Sequence, residues 1–231
     1  LINRDGIGGS AVITDCVPSK ALIAVSNAMQ AVAESGRLGV LINGAPPAAS
    51  QLSVNLRTVN ARVRDLAHAQ STDITAALVR EGVELVPASG SFINESTVLA
   101  TYEDGNTKEF TADISLVATG ARPRVLDTAI PDGERILTWD QLYELDELPA
   151  KLIVVGSGVT GAEFASAYQG LGSQVVLVSS RDRVLPGEDA DAAAVIESVF
   201  ERRGIDVMPH SRAIGAVWTD HGVLVTLKDG T

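Results

Sequence analysis

A single cysteine, Cys16, stands among the 231 residues, so an intramolecular disulfide is excluded within them. Such sparing use of cysteine fits a reducing cytoplasm. Basic residues are also short: 18 Lys and Arg against 29 Asp and Glu leave a net charge of −11. A chain this acidic does not read as a nucleic-acid binder, although it leaves room for a local basic pocket around a phosphorylated cofactor. No uninterrupted apolar run approaches the roughly 18 residues of a membrane span. The opening "LINRDG" lacks a charged segment followed by an apolar one, so it is not read as a signal peptide. Of the three histidines, His68, His210 and His221, none has a partner at metal-ligand spacing, and no metal site is expected. Solenoid repeats and low-complexity tracts are missing as well.

What is present is a 45% hydrophobic chain, enough for one large domain or two smaller ones. Both ends read as cuts in a longer protein. The start runs as a strand tail into a Gly-rich turn, and the end stops on Asp229-Gly230, a hairpin pair with no returning strand. The spacing predicts a helix from Pro18 to Gly36, a loop over 41–53, and a long helix carrying Leu56, Val59, Val63, Leu66 and Ile74 up to Gly82. "VELVP" reads as a strand. Two strands joined at Asp104-Gly105 follow, then a buried strand at Ile114 to Ala118. Thr138 with Gln141 forms a capping-box pattern at the start of a short helix. The run with Glu188, Asp189 and Asp191 reads as the acidic start of a helix rather than a metal site, and Trp139 and Trp218 read as packing residues.

The pattern changes near Ala150, where a domain boundary is placed. "KLIVVGSGVTGAEFASAYQGLGSQVVLVSS" is strand, Gly-rich turn, helix and strand within about thirty residues, as a βαβ unit requires. Gly156, Gly158 and Gly161 form G-x-G-x-x-G directly after the apolar strand. The first lets the chain turn tightly, the second lets a pyrophosphate approach the backbone, and the third lets helix and strand pack closely. The helix starting at Thr160, with Val159 just before it, then offers free N–H groups to the phosphates. A carboxylate at the end of the second strand would bind the ribose of NADH and repel a 2′-phosphate, and it is absent. Ser179, Ser180, Arg181 and Arg183 stand there instead, pointing to NADPH with NADH tolerated.

The Gly-rich opening, "CVPSK", "VATGARPR" and "VVGSGVTGAEFA", in that order, resemble the pyridine nucleotide-disulfide oxidoreductase family of flavoproteins, which includes dihydrolipoamide dehydrogenase and glutathione reductase. The resemblance implies an α/β fold of three-layer ββα type. An incomplete FAD-binding Rossmann-like domain over 1–149 would carry an inserted, incomplete NAD(P)H-binding Rossmann-like domain over 150–231. It further implies a homodimer, completed by a C-terminal domain outside these residues. Gly8, Gly9 and the segment from Cys16 to Lys20 would lie along the flavin. Lys20 would sit near flavin N5 in an ion pair with Glu163, Thr119, Gly120 and Ala121 would line the cofactor, and Asn3 would hold the adenosine ribose.

The departure is Ala11. Family members that reduce disulfides carry a Cys-x4-Cys pair, and Ala11 stands five residues before Cys16 where the first sulfur should be. Release of a mixed disulfide needs a second sulfur. Cys16 alone could touch the flavin or be an inert relic. A reduced flavin can instead deliver electrons to a diffusible quinone or to another nicotinamide. The altered cysteine pair with "SSRDRVLPGEDADAA" and "ILTWDQLYELDELP" resembles the NAD(P)H:quinone reductase branch, which implies a quinone acceptor. The alternatives are a soluble pyridine nucleotide transhydrogenase, which "SSRDR" resembles, and a nucleotide-binding redox sensor with little turnover.

Overall fold

The computed structural model describes residues 1–228, and the hairpin expected at Asp229-Gly230 lies outside them. The chain forms two compact units, Leu1–Pro18 with Arg64–Arg122, and Ser19–Val63 with the chain from Pro123 on.

The first unit holds α1 (Gly9–Ile13) and an antiparallel sheet in the order β1 (Ser89–Phe92), β2 (Thr97–Thr101), β3 (Thr107–Thr111). Asp104 turns β2 into β3, its carboxylate accepting from the Asn106 N–H at 2.9 Å. Val86, Ala88 and Ala100 form a small core with Ile2, Tyr102 and Phe110. The strand expected at "VELVP" is reduced to one parallel bridge, Ile2 to Val86. The Leu1 amine also donates to the Glu84 carbonyl at 2.7 Å, but among the described residues no ladder extends along the segment. The expected strand at Ile114 to Ala118 also fails to form. Ile114 and Leu116 are 88% and 91% exposed. An apolar run becomes a strand only where a sheet edge meets its amides and carbonyls, and no strand among the described residues pairs with it.

Two long helices, α2 (Cys16–Glu34) and α3 (Leu56–Arg80), enter or leave the second unit. Past Glu34 the chain tightens into a 3₁₀ turn, Ser35–Leu38, and the left-handed residue that closes it is Gly39, φ +87°, rather than Gly36. α3 starts behind Asn55, whose side chain accepts from the Thr58 N–H at 3.0 Å. It closes at Gly82, φ +78°, as expected, while Leu66, expected on its apolar face, is exposed.

The second unit is built on a parallel sheet, β4 (Lys151–Val155), β5 (Gln174–Val178) and β6 (Asp206–Met208), with α4 (Val159–Leu171) between the first two strands and α5 (Ala190–Arg202) before the third. A hairpin, β7 (Ala213–Thr219) and β8 (Gly222–Leu227), follows. Small residues on α4, Ala162, Ala165 and Ala167, are buried with Phe164, Tyr168 and Leu171 in one core with Leu22, Leu56, Val63, Leu177 and Phe200. Burial pushes the Tyr168 phenol well above its ordinary pKa, and its hydroxyl donates to the Leu142 carbonyl at 3.3 Å. Arg203 ties the end of α5 to α4, donating to Gln169 at 2.9 Å and to the Ser166 hydroxyl at 2.9 Å. The Thr138 capping box opens a 3₁₀ helix, Trp139–Glu144, with Gln141 accepting from the Thr138 N–H at 2.9 Å.

Asp189 caps α5, its carboxylate accepting from the N–H groups of Asp191 and Ala192, each at 3.0 Å. The acidic run is thus a helix start, and among the described residues no three or more His, Cys, Asp or Glu side chains gather as a metal site would need. Replacing Asp189 by Ala should destabilise this unit by about 1 kcal/mol, read as a lower denaturation midpoint at unchanged slope. A midpoint equal to the parent's would show that the cap adds nothing.

Trp139 packs against the core as expected, whereas Trp218 is 48% exposed, lying under the Arg135 guanidinium at 5.2 Å and donating through its indole N–H to Asp132. Desolvation opposes ionisation of Asp132, but that bond and the N–H groups of Arg135, Glu134 and Ile136 outweigh it and hold the carboxyl well below its usual range.

Candidate functional site

At the carboxyl end of β4 the chain must turn sharply into α4. Gly156 does this at φ +114°, a conformation costly for any side chain, and its N–H donates to the Val178 carbonyl at 2.9 Å. Gly158 precedes the first residue of α4, Val159, and its carbonyl accepts from the Ala162 N–H at 2.9 Å. Gly161 faces the strand so closely that an added Cβ would overlap the Gly156 carbonyl oxygen and lie 2.9 Å from its carbon. At Gly158 an added Cβ would meet nothing within 4 Å. Packing requires glycine at 161, whereas at 158 only a ligand approaching the backbone would.

The loop after β5 is locked to this turn. The Ser157 and Ser179 hydroxyls lie 2.7 Å apart, and the Leu185 N–H donates to the Ser157 carbonyl at 2.8 Å. Ser179 is fully buried, also meeting the Arg181 N–H at 3.1 Å. Its hydroxyl is therefore spent on shaping the loop. Beside the turn lies a groove of about 590 Å³, lined by Val155, Gly156, Val178, Ser180 and Arg181. Such a crevice outside the carboxyl ends of parallel strands is where open α/β sheets bind nucleotides. Of the expected second-strand residues, Ser180 and Arg181 line the groove; Ser179 and Arg183 do not. Arg183 is half-buried, and its Nε has no partner among the described residues. Arg124 and Arg212, which the sequence did not single out, also line the groove, with Leu126, Ser211 and Ala213.

A second cluster in the same unit centres on Glu163, one turn into α4. Its Oε1 lies 2.7 Å from Lys20 Nζ, and its Oε2 accepts from the buried Ser19 hydroxyl at 2.9 Å. The expected ion pair is thus formed between α2 and α4. The Glu163 side chain is 20% exposed and that of Lys20 56%, so one face of the pair is protein and the other is open.

The remaining expected residues lie in the first unit. Gly8 caps α1 at φ +104°, where a Cβ would press on Val12. Gly9 opens α1 at φ +57°, Ala11 sits within it, and Cys16 is an exposed free thiol at the first position of α2. Asn3 donates its backbone N–H to the Val86 carbonyl at 3.0 Å, while its side-chain Oδ1 is buried without a partner among the described residues. An acceptor withdrawn from water in this way fits a ribose hydroxyl donor. Thr119, Gly120 and Ala121 lie in an exposed irregular segment, with Gly120 at φ +68°. His68, His210 and His221 are exposed.

Comparison with known proteins agrees with the motif order. The family model of the pyridine nucleotide-disulphide oxidoreductases matches residues 1–231. A curated NAD(P)H dehydrogenase (quinone) of Mycobacterium tuberculosis is 50% identical over 236 residues, covering 100% of this chain and 47% of the relative. A dihydrolipoyl dehydrogenase of Bacillus subtilis is 30% identical, covering 92% of this chain and 45% of the relative. The crystal structure of LpdA from Mycobacterium tuberculosis superposes with a TM-score of 0.90 at 49% identity, over 100% of this chain and 49% of that one. The chain thus spans about half the length of the relatives it matches. With βαβ unit, glycine turn and full-length family match in agreement, this chain belongs to the pyridine nucleotide-disulphide oxidoreductase family.

Proposed function

We infer that the protein is a flavin-dependent oxidoreductase that takes hydride from NADPH or NADH and reduces a quinone-like acceptor without a redox disulfide. The observation that carries this reading is Ala11, five residues before a solitary Cys16. A methyl group cannot attack or leave as a sulfur does, so disulfide reduction has no second partner among these residues. The 50% identity to a relative named NAD(P)H dehydrogenase (quinone) supports the same acceptor class.

Bound FAD would supply the two-electron chemistry, accepting hydride and passing the electron pair to the quinone, which takes up two protons to become a hydroquinone. The roles of this chain's own residues are to bind and to hold charge. Asn3 would accept from the adenosine ribose, Gly8 and Gly9 would let the chain pass close to the cofactor, and Thr119, Gly120 and Ala121 would contact it. Gly156, Gly158, Val159 and Gly161 would present the helix start to the nicotinamide dinucleotide's pyrophosphate. Lys20, kept charged by Glu163, would stand near flavin N5, and Cys16 would be at most a thiol contact. We place the FAD part over 1–149 and the NAD(P)H part over 150–231, in a cytoplasmic homodimer. Among the described residues no helix is long and apolar enough to cross a membrane.

The full-length, FAD-loaded protein should turn over a water-soluble benzoquinone with NADPH or NADH, and show no lipoamide or glutathione-disulfide reduction above background. Measured lipoamide turnover would sink this reading. Negligible quinone turnover, with hydride passing from NADPH to an NAD⁺ analogue, would instead favour the transhydrogenase that "SSRDR" resembles.

A further inference from the structure

Three chain segments of the second unit bring arginines to the groove beside the glycine turn: Arg124 ahead of β4, Arg181 after β5, and Arg212 ahead of β7. Their placement is fixed by backbone bonds. The Ser211 N–H donates to the Ser179 carbonyl at 2.7 Å and the His210 N–H to the Arg181 carbonyl at 2.8 Å, which seats the Arg212 segment against the loop after β5. The 124–129 segment is held in turn, the Thr128 carbonyl accepting from the Ala216 N–H of β7 at 3.0 Å.

Among the described residues none of these three side chains has a hydrogen bond or ion pair, while Arg57 pairs with Asp146 and Arg203 is fully engaged on α4. No Asp or Glu lines the groove; Asp182, next to Arg181, is exposed and outside it. In a chain of net charge −11, three arginines without partners around one groove, with two serines and no carboxylate, match a ligand with localised double negative charge. A ribose 2′-phosphate carries such a charge near neutral pH, and guanidinium groups meet its oxygens with charge-assisted hydrogen bonds. A ribose diol offers no charge at that position, so, with the pyrophosphate common to both dinucleotides, the preference between them rests on the 2′-phosphate.

We propose that Arg212 and Arg124, together with Arg181, select the 2′-phosphate of NADPH, and that Arg183 does not take part. The proposal rests on the reading that this groove receives the nicotinamide dinucleotide, and it goes further by assigning specificity to two residues outside the second-strand loop.

The test is calorimetric binding of 2′,5′-ADP and of 5′-AMP to the full-length, FAD-loaded protein. The parent should bind 2′,5′-ADP at least about tenfold more tightly than 5′-AMP. R212Q and R124Q should each weaken 2′,5′-ADP about tenfold, as loss of one charge-assisted bond implies, and leave 5′-AMP within about twofold. R183Q should keep the preference. The 5′-AMP affinity doubles as a folding control, because a collapsed groove would lose both ligands. Equal affinities in the parent, or R212Q and R124Q variants that retain the preference, would overturn the assignment while the dinucleotide reading stands. Binding of neither nucleotide would overturn both. Absent quinone turnover with the preference intact would leave this inference standing and remove only the proposed acceptor.

Discussion

Gly161→Ala should destabilise the protein and abolish most nucleotide binding, whereas Gly158→Ala should weaken binding and leave stability nearly unchanged. At 161 the added methyl overlaps the Gly156 carbonyl oxygen. That obstacle is backbone, so no rotamer change relieves it. Overpacking of this kind costs roughly 1–3 kcal/mol, and a backbone clash belongs at the upper end. For a unit of this size, about 3 kcal/mol lowers the melting temperature by roughly 6–12 °C. Relief can come only by moving α4 off β4 or by turning the Gly156 peptide, and either displaces the N–H groups of the helix start. At 158 the backbone is extended, φ −70° and ψ −176°, and nothing lies within 4 Å of an added Cβ. Alanine fits the protein there but stands where a pyrophosphate would approach, so a loss of at least about tenfold in dinucleotide affinity is expected at unchanged melting temperature. Parent-like melting and binding in Gly161→Ala would show that the turn tolerates a wider helix–strand spacing.

The same two glycines show why this part was legible in the sequence. The βαβ unit is local: strand, turn, helix and strand follow one another, and each glycine has its own backbone reason. Arg212 had no comparable signal. It stands apart from any motif and reaches the groove only because β5 and β6 pair in parallel, Val178 opposite Met208, so that the chain leaving β6 runs beside Ser179 and Arg181. Arg183 is the converse. It is closer in sequence to the expected phosphate position than Arg212, yet its carbonyl accepts from the Ser157 and Ser179 hydroxyls at 3.2 and 3.3 Å, and its side chain is not part of the groove lining. The misread strands share one cause. "VELVP" and the 114–118 run are apolar and β-branched enough to read as strands, but strand formation is decided by a partner edge that composition does not reveal.

Lys20 and Glu163 were joined by resemblance alone, since no local rule links Ser19 or Lys20 on α2 to a residue 144 positions beyond Ser19. Their 2.7 Å contact makes the proposed flavin role testable. Lys20→Met should slow flavin reduction by NADPH about 10- to 100-fold in rapid-mixing experiments, the scale on which one charge-stabilising donor acts, and leave the NADPH dissociation constant within about twofold. With the Lys20 side chain 56% exposed, the ion pair contributes roughly 0–1 kcal/mol to stability, so melting should hardly change. A second readout separates chemistry from scaffolding: loss of a cation beside the site of growing negative charge should make the flavin potential more negative. Glu163→Gln keeps an acceptor for the Ser19 hydroxyl, 2.9 Å away in the parent, while removing the charge that holds the ammonium in place. If Lys20 acts only when held by Glu163, the double variant should be about as slow as Lys20→Met alone, a non-additivity expected of groups in contact. Lys20→Arg should recover part of the rate by restoring the charge. Parent-like reduction kinetics and potential in Lys20→Met would leave the pair as a strut between α2 and α4 and remove Lys20 from the flavin chemistry.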